Sequence, residues 1–444
     1  MFLGGAKKPM TVNLEQVAKQ KKIKYFLISF VDYFGVLRAK LVPTSAITQM
    51  QRDGAGFAAF AAWLDSTPAH PDMLVMPDVN SLIQLPWKPE VGWLAGDCWM
   101  DGNPMMDTPR LVLKNQIKKA ANQGYHMQTG VEAEYFIINE DGSNISDLRD
   151  TQSKPCYDQT ALMRRYEVVA EICDSMEKLG WAPYQNDHED ANGQFEMNFH
   201  YSDALTSSDR HVFFKFMVKS IAEKHGLRAT FMPKPFEHLT GNGCHTHVSV
   251  WNKSKKKNLF EDPKDELGMS KLSYNFLGGV IKSAASLSSI FNPTVNSYKR
   301  LNAGTTVSGA TWSPNSITFG GNNRTTMARI PGPGRFELRM MDGSANPYLM
   351  QAAILMAGLE GIKSKRSPGK RYDVDMFAES SNIKGIEKLP LNLLDAIRLT
   401  EKDKIVRDGL GETFVESYTK LKMQEWLDYA RHLSQWERDN TLDC

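Results

Sequence analysis

The sequence predicts an α+β chain in two units, a small strand-rich unit over residues 1–105 and a larger unit over residues 106–444. Three observations predict it. Short β-type segments crowd the first 105 residues. Helical periodicity sets in at Asp107-Thr108-Pro109-Arg110. Beyond that point helices alternate with strand-like segments whose two faces differ in polarity. A chain of 444 residues is also too long for one ordinary core.

The elements follow in order. Residues 12–21 (VNLEQVAKQK) read as a short amphipathic helix. Lys24 to Phe30 is a strand, and the glycine in VDYFGVLRAKLVP turns it into a second strand, a hairpin by its spacing. Residues 76–107 bring short strands separated by Pro, Asn and Gly. Pro109 opens and Gly124 closes a helix over LVLKNQIKKAANQG. Apolar residues at helical spacing predict one helix in each of ALMRRYEVVAEICDSMEKLG, RHVFFKFMVKSIAEKHG, SKLSYNFLGGVIKSAASLSSI and NPYLMQAAILMAGLEGIK. The C-terminal stretch is helical and charged.

Composition excludes some classes. A net charge of +2 gives no reason to expect nucleic acid or an acidic membrane as partner. No apolar run approaches the ~20 residues of a membrane span. MFLGGAKKPMTVN lacks a signal-peptide core. The five cysteines form no close pair, which argues against a zinc cluster and for a reducing compartment. A cytoplasmic location is expected.

The chemistry lies on the strand faces. In DHEDANGQFEMNF, Gln194, Glu196 and Asn198 share one face, and Phe195, Met197 and Phe199 the other. Glu132 and Glu134 alternate with Val131, Ala133 and Tyr135 in VEAEYFII. His245, His247 and Ser249 alternate with Thr246 and Val248, and Arg335, Glu337 and Arg339 with Phe336, Leu338 and Met340. Exposed strand faces would alternate the same way. Repetition in four segments instead suggests one shared cavity. Glu132, Glu134, Glu189, Glu196 and Glu337 would then crowd five carboxylates around His245, which requires cations. Oxygen-rich sites with one nitrogen suit Mg²⁺ or Mn²⁺. Arg300, Arg324, Arg329, Arg335 and Arg339, set among Gly, Pro and Asn, look like an anion site. Neither GxxxxGK[ST] nor GxGxxG after a strand is present, so metals and arginines would have to hold any nucleotide phosphates. The residues alone point to metal-dependent phosphoryl transfer.

Seven ordered motifs carry a resemblance: VDYFGVLRAK, VEAEYF, HEDANGQFE, FMPKPF with GNGCHTH, NPTVNSYKRL, NNRTTMARIP and RFELRMMDGSANPYL. From about Tyr25 onward the chain resembles the glutamine synthetase family, in particular the type III or GlnT-like branch that includes γ-glutamylmethylamide synthetase. The resemblance implies an N-terminal β-grasp domain (1–105) and a catalytic domain (106–444) with a funnel of antiparallel strands flanked by helices. It implies a dodecamer of two hexameric rings with active sites between subunits. It also implies an ATP-dependent ligase joining the γ-carboxylate of L-glutamate to ammonia or a small primary amine such as methylamine, through γ-glutamyl phosphate.

Residue by residue, the resemblance implies two to three Mg²⁺ or Mn²⁺ ions per site. Glu134, Glu189 and Glu196 would bind the first, and Glu132, His245 and Glu337 the second. Arg300, Gly241, Arg339 and Glu134 would contact glutamate, and Arg324 the transferred phosphoryl group. His247, Ser249, Arg329 and Arg335 would contact the nucleotide. Asp32, lent by the adjacent subunit, would bind and deprotonate the acceptor. The catalytic set implied is Asp32, Arg324 and Arg339.

Two positions depart from the family pattern. Thr306 stands where a flap glutamate completes the ammonium site, and Thr240 stands where asparagine is common. The missing acid should weaken selection for the small cation and leave room for an alkylamine; if another acid of the flap substitutes for it, ammonia is still the acceptor. Two other classes compete. A non-catalytic ring-forming member would not need the ligand set, which is complete here. A guanidino kinase would lack the N-terminal unit and Asp32.

Overall fold

The computed structural model describes residues 12–444. The stretch before Val12, where the sequence reads no signal peptide, lies outside them. The described residues form two units, one of 12–32 and 36–105, the other of 33–35 and 106–444.

In the first unit Asn13 caps α1 (Leu14–Lys21) by accepting from the Gln16 amide at 3.1 Å. β1 (Tyr25–Val31) and β2 (Leu37–Pro43) form the expected antiparallel pair. After α2 (Ile47–Asp53) come β3 (Ala55–Phe57), β4 (Met73–Pro77), β5 (Ile83–Gln84), β6 (Val91–Met100) and β7 (Asn103–Pro104). The sheet order is β2-β1-β6-β4-β3, with β5 and β7 added on β6. β1 and β6 run parallel, so the sheet is mixed. Phe26, Ile28, Val75 and Leu94 are fully buried in its core.

The second unit opens with α3 (Pro109–Asn122), β8 (Tyr125–Ala133) and β9 (Tyr135–Ile138). α4 (Gln159–Arg164), α5 (Tyr166–Lys178), β10 (Pro183–His188), β11 (Gln194–Phe199) and β12 (Ser202–Asp203) follow. Next come α6 (Ala204–Lys224), β13 (Arg228–Thr230), β14 (Cys244–Asn252), α7 (Lys271–Phe291) and α8 (Val295–Leu301). β15 (Phe319–Gly320), β16 (Ala328–Gly332), β17 (Arg335–Leu338) and α9 (Pro347–Lys363) lead to the C-terminal helices α10 (Met376–Glu379), α11 (Leu393–Lys402), α12 (Lys404–Leu410), α13 (Glu412–Ala430) and α14 (Gln435–Thr441). One sheet has the order β12-β8-β14-β17-β16-β15, the other β10-β11-β9-β13. Every pairing in them is antiparallel except β15 with β16.

Two elements differ from the sequence expectation. VEAEYFII is not one strand. The chain breaks at Glu134, so β8 joins one sheet and β9 the other. The Glu134 amide leaves the β8 ladder to donate to the Gly243 carbonyl at 3.2 Å. ALMRRYEVVAEICDSMEKLG is not one helix either. It divides at Arg165 (φ −115°, ψ 16°), whose guanidinium reaches back to the Ser146 hydroxyl at 2.8 Å. Periodicity continues through both breaks, because each is imposed by a partner remote in sequence.

Helices α7 and α9 pack backbone to backbone. A Cβ on Gly279 would lie 2.0 Å from the Ala357 carbonyl oxygen and 2.7 Å from Gly361. Among the described residues no helix is long and apolar enough to cross a membrane, and all five cysteines are free. Gly279→Ala is expected to destabilise the protein by about 1–3 kcal/mol through overpacking, even though alanine is the better helix former. Thermal unfolding checks this, and an unchanged or raised Tm would contradict it.

Candidate active site

Strand register brings the polar faces together. On adjacent strands His245 of β14 stands opposite Glu132 of β8, and His247 opposite Glu337 of β17. In the other sheet Asp187 of β10 stands opposite Glu196 of β11. The apolar faces go the other way: Val248, Val250, Phe336 and Leu338 are fully buried. Cys244 is buried behind β14 near His211, as adjacent residues on a strand must diverge. A cavity of about 530 Å³ results. Its lining includes all five glutamates, His245, His247, Gly241 and Arg300, Arg324, Arg329, Arg335 and Arg339.

The break at Glu134 places that carboxylate where the sheets diverge. It accepts from the Gly243 amide at 2.6 Å and from Gln194 Nε2 at 3.2 Å. Gln194 also donates to the Gly241 carbonyl at 3.1 Å. Both glycines are steric necessities. A Cβ at Gly241 would lie 2.3 Å from the Pro233 carbonyl oxygen, and one at Gly243 would lie 2.9 Å from both Arg300 and His245.

The charges are unevenly compensated. Glu337 takes Arg339 Nη1 at 2.6 Å and Arg329 Nη1 at 2.8 Å. Burial pushes its carboxyl up, but Arg339, His245, His247 and Arg329 overcome that and hold it at about 2. Glu189 and Glu196 have no such partner. Burial first, then the neighbouring carboxylates, push both well above the ordinary carboxylate range. Burial also raises Glu134 and, followed by the charge of Glu132, carries Asp187 to about 6. His245 is held well below its usual value by burial and then Arg339. Its Nε2 is buried with no hydrogen-bond partner among the described residues.

This donor set fits divalent cations. Glu132, Glu196 and His245 offer ligand atoms within 4.8 Å of one another, as do Glu132, His247 and Glu337, and Asp187, Glu189 and Glu196. Carboxylate oxygens joined by an imidazole nitrogen suit Mg²⁺ or Mn²⁺. The grouping differs from the one the resemblance implies: Glu132 and Glu196 each fall in two sets, His247 and Asp187 join, and Glu134 is in none. Asp187 was missed in the sequence, although its alternation with Glu189 along the same segment could have marked it.

Beside this cavity lies a second of about 370 Å³, lined by Tyr184, His247, Ser249, Trp251, Arg335 and others. His247 and Arg335 face both. Ser249 Oγ accepts from the Trp251 indole at 3.0 Å. Arg300, on α8, is fully buried and donates to the Met340 carbonyl at 3.2 Å. Arg324 is exposed on the loop before β16.

The loop that carries Glu189 is braced by Asp150. That carboxylate meets His188 Nε2 at 2.6 Å, Asn192 Nδ2 at 2.9 Å and the Gly193 amide at 2.6 Å. Above it, the segment between α8 and β15 is fastened through Ser308, which donates to Asp190 at 2.5 Å, and through the Val307 amide, which donates to the His238 carbonyl at 2.9 Å. Thr306 is buried in that segment, with its hydroxyl on the Ala310 carbonyl. Thr240 donates to Asp190 at 3.0 Å. Asp32 belongs to the N-terminal unit, where it is fully buried. It accepts from Arg38 at 2.9 Å, the Val36 amide at 3.0 Å and the Trp63 amide at 3.3 Å, and burial raises its pKa.

Comparison with known proteins supplies the family. Residues 106–441 match the glutamine synthetase catalytic domain. A glutamine synthetase of Rhizobium leguminosarum bv. phaseoli is 60% identical over 434 residues, covering 98% of this chain and 100% of its own. A glutamate–methylamine ligase of Methyloversatilis universalis is 41% identical over 438 residues, covering 97% of this chain and 98% of its own. A solved GmaS/ADP complex superposes with a TM-score of 0.95 at 60% identity, over 98% of this chain and 100% of that one. With carboxylates, imidazole and arginines gathered in one cavity between two sheets, and with likeness along the whole length, the chain belongs to the glutamine synthetase family of ligases.

Proposed function

We propose that the protein joins the γ-carboxylate of L-glutamate to a small primary amine, with methylamine preferred over ammonia, at the expense of ATP. The family as a whole is ATP- and divalent-metal-dependent. The observation that carries the acceptor reading is Thr306. No carboxylate stands at that position, and the hydroxyl is spent inside its own loop rather than on the cavity. The likeness to a glutamate–methylamine ligase along nearly the full length supports the same reading.

The residues divide the work as follows. Glu134, Glu189 and Glu196, with Asp187 beside them, would hold one Mg²⁺ or Mn²⁺, and Glu132, His245 and Glu337 another. Such ions, when bound, would draw off the negative charge that the phosphates carry. Arg300, Arg339, Gly241 and Glu134 hold glutamate, so that a γ-carboxylate oxygen faces the terminal phosphorus of ATP. That oxygen attacks, ADP leaves, and Arg324 neutralises the transferred phosphoryl group. His247, Ser249, Arg329 and Arg335 orient the nucleotide. The amine nitrogen then attacks the γ-carbonyl carbon and phosphate leaves. Asp32, offered by a neighbouring subunit of a two-ring dodecamer, takes the proton of the alkylammonium. The setting is the cytoplasm.

Glu337→Ala should lower ATP turnover by more than ~100-fold, since it removes a ligand and strands Arg329 and Arg339. Asp32→Ala should leave γ-glutamyl phosphate formation and cripple amide formation. Single-turnover assays separate the two steps, and equal loss of both in Asp32→Ala would refute its role. At matched neutral-amine concentrations, methylamine should give a higher kcat/KM than ammonia. The margin should be ~10-fold or more, the range one methyl group commands. A large preference for ammonia would make the protein a glutamine synthetase with an unusual flap.

A further inference from the structure

The main cavity is walled by acids, amides, imidazoles and guanidinium groups, and two aromatic rings interrupt them. Tyr157 and Trp312 both line it, and both hold positive φ, 67° and 51°. A left-handed backbone is an outlier for a bulky residue, and such conformations gather at sites of function because the surrounding structure must enforce them. The enforcement at Trp312 is visible. Upstream, Ser308 is tied to Asp190 and Val307 to His238. Lys154 holds the Ser308 carbonyl, and Thr240 reaches the Ala310 carbonyl at 3.2 Å. Downstream, Ser313 is buried, and the Ile317 amide donates to the Glu387 carbonyl at 2.9 Å. The loop is pinned on both sides of the indole.

Trp312 is half-buried, and among the described residues nothing stacks on it and its indole N–H has no hydrogen-bond partner. An indole lining a highly polar cavity, at the cost of an unfavourable backbone, offers an apolar surface to an occupant. Glutamate and the triphosphate are anionic and suit the arginine wall. The acceptor amine has the matching chemistry: a cationic nitrogen for the acids and an alkyl group for the indole. Ammonium has no alkyl group to place against this wall.

We propose that Trp312 is the specificity-determining residue of the acceptor site, its indole face taking the alkyl group of a small primary alkylamine. This assignment rests on the acceptor reading above and names the residue that enforces it. One methyl group against an apolar wall discriminates by roughly 10–200-fold. Removing the wall removes that discrimination.

The test measures kcat/KM for methylamine and for ammonia in the wild type and in Trp312→Phe, Trp312→Ala and Trp312→Gly. Trp312→Gly relaxes the backbone while deleting the ring, which separates the ring from the loop conformation. The methylamine-to-ammonia ratio should fall by about tenfold or more in Trp312→Ala and Trp312→Gly, mainly through the KM for methylamine, and survive largely in Trp312→Phe. A wild type that prefers ammonia overturns the acceptor reading, and the assignment with it. A methylamine-preferring wild type whose ratio persists in Trp312→Ala and Trp312→Gly overturns the assignment alone. So does an equal loss with both amines, which would make Trp312 a support for the loop.

Discussion

Five glutamates face one cavity, and buried like charges repel too strongly to coexist bare. Much of the site follows from the ways this chain answers that constraint. Glu337 is answered by Arg329 and Arg339. Glu134 is answered by a backbone amide and Gln194, with Arg300 nearby. Glu189 and Glu196 are left without a cationic partner, and burial drives them toward the neutral form. The bare Nε2 of His245 lies close by. The imbalance is local, with excess negative charge on the β10–β11 side and guanidinium groups on the β16–β17 side. A metal-bound phosphate chain has the complementary polarity.

The backbone supplies the means of convergence. A single straight strand could not point Glu132 and Glu134 into a cavity shared by two sheets. The break at Glu134 sends the chain from one sheet to the other and leaves the carboxylate at the crossing. Gly241 and Gly243 then allow the 241–243 loop to come against Arg300 and His245, where any Cβ would collide. Asp150 fixes the turn that carries Glu189 through three hydrogen bonds. Stiffness at these points sets the ligand positions before substrate arrives, which is how catalytic geometry is made precise in the absence of strain in the ligands themselves.

Period-two alternation made the faces of β8, β11, β14 and β17 legible in the sequence, because burial on one side forces it. The helix α3 was legible from Pro109 and Gly124. Other features were not. The strand break at Glu134 keeps perfect alternation, and only the distant Gly243 carbonyl causes it. Asp150 lies 38 positions from His188, and nothing local marks them as partners. Thr306 could be read as a missing acid, but the inward turn of its hydroxyl depends on the path of the loop. Asp187 was overlooked beside Glu189, although both sit on the segment that the polar pattern singled out. Trp312 is not singled out by any pattern in the sequence. Its importance lies in a backbone angle that composition does not record.

The central claim is that divalent cations complete this cavity. The direct measurement is thermal unfolding of the nucleotide-free protein in chelator, in Mg²⁺ or Mn²⁺, and in monovalent salt of equal ionic strength. A ligand at 100 times its Kd stabilises the folded state by about 2.7 kcal/mol, and each kcal/mol moves Tm by roughly 1 °C in a chain of this length. The account predicts a rise of that order with the divalent ions and little with monovalent salt. Equal shifts from both salts, or none from either, would contradict it.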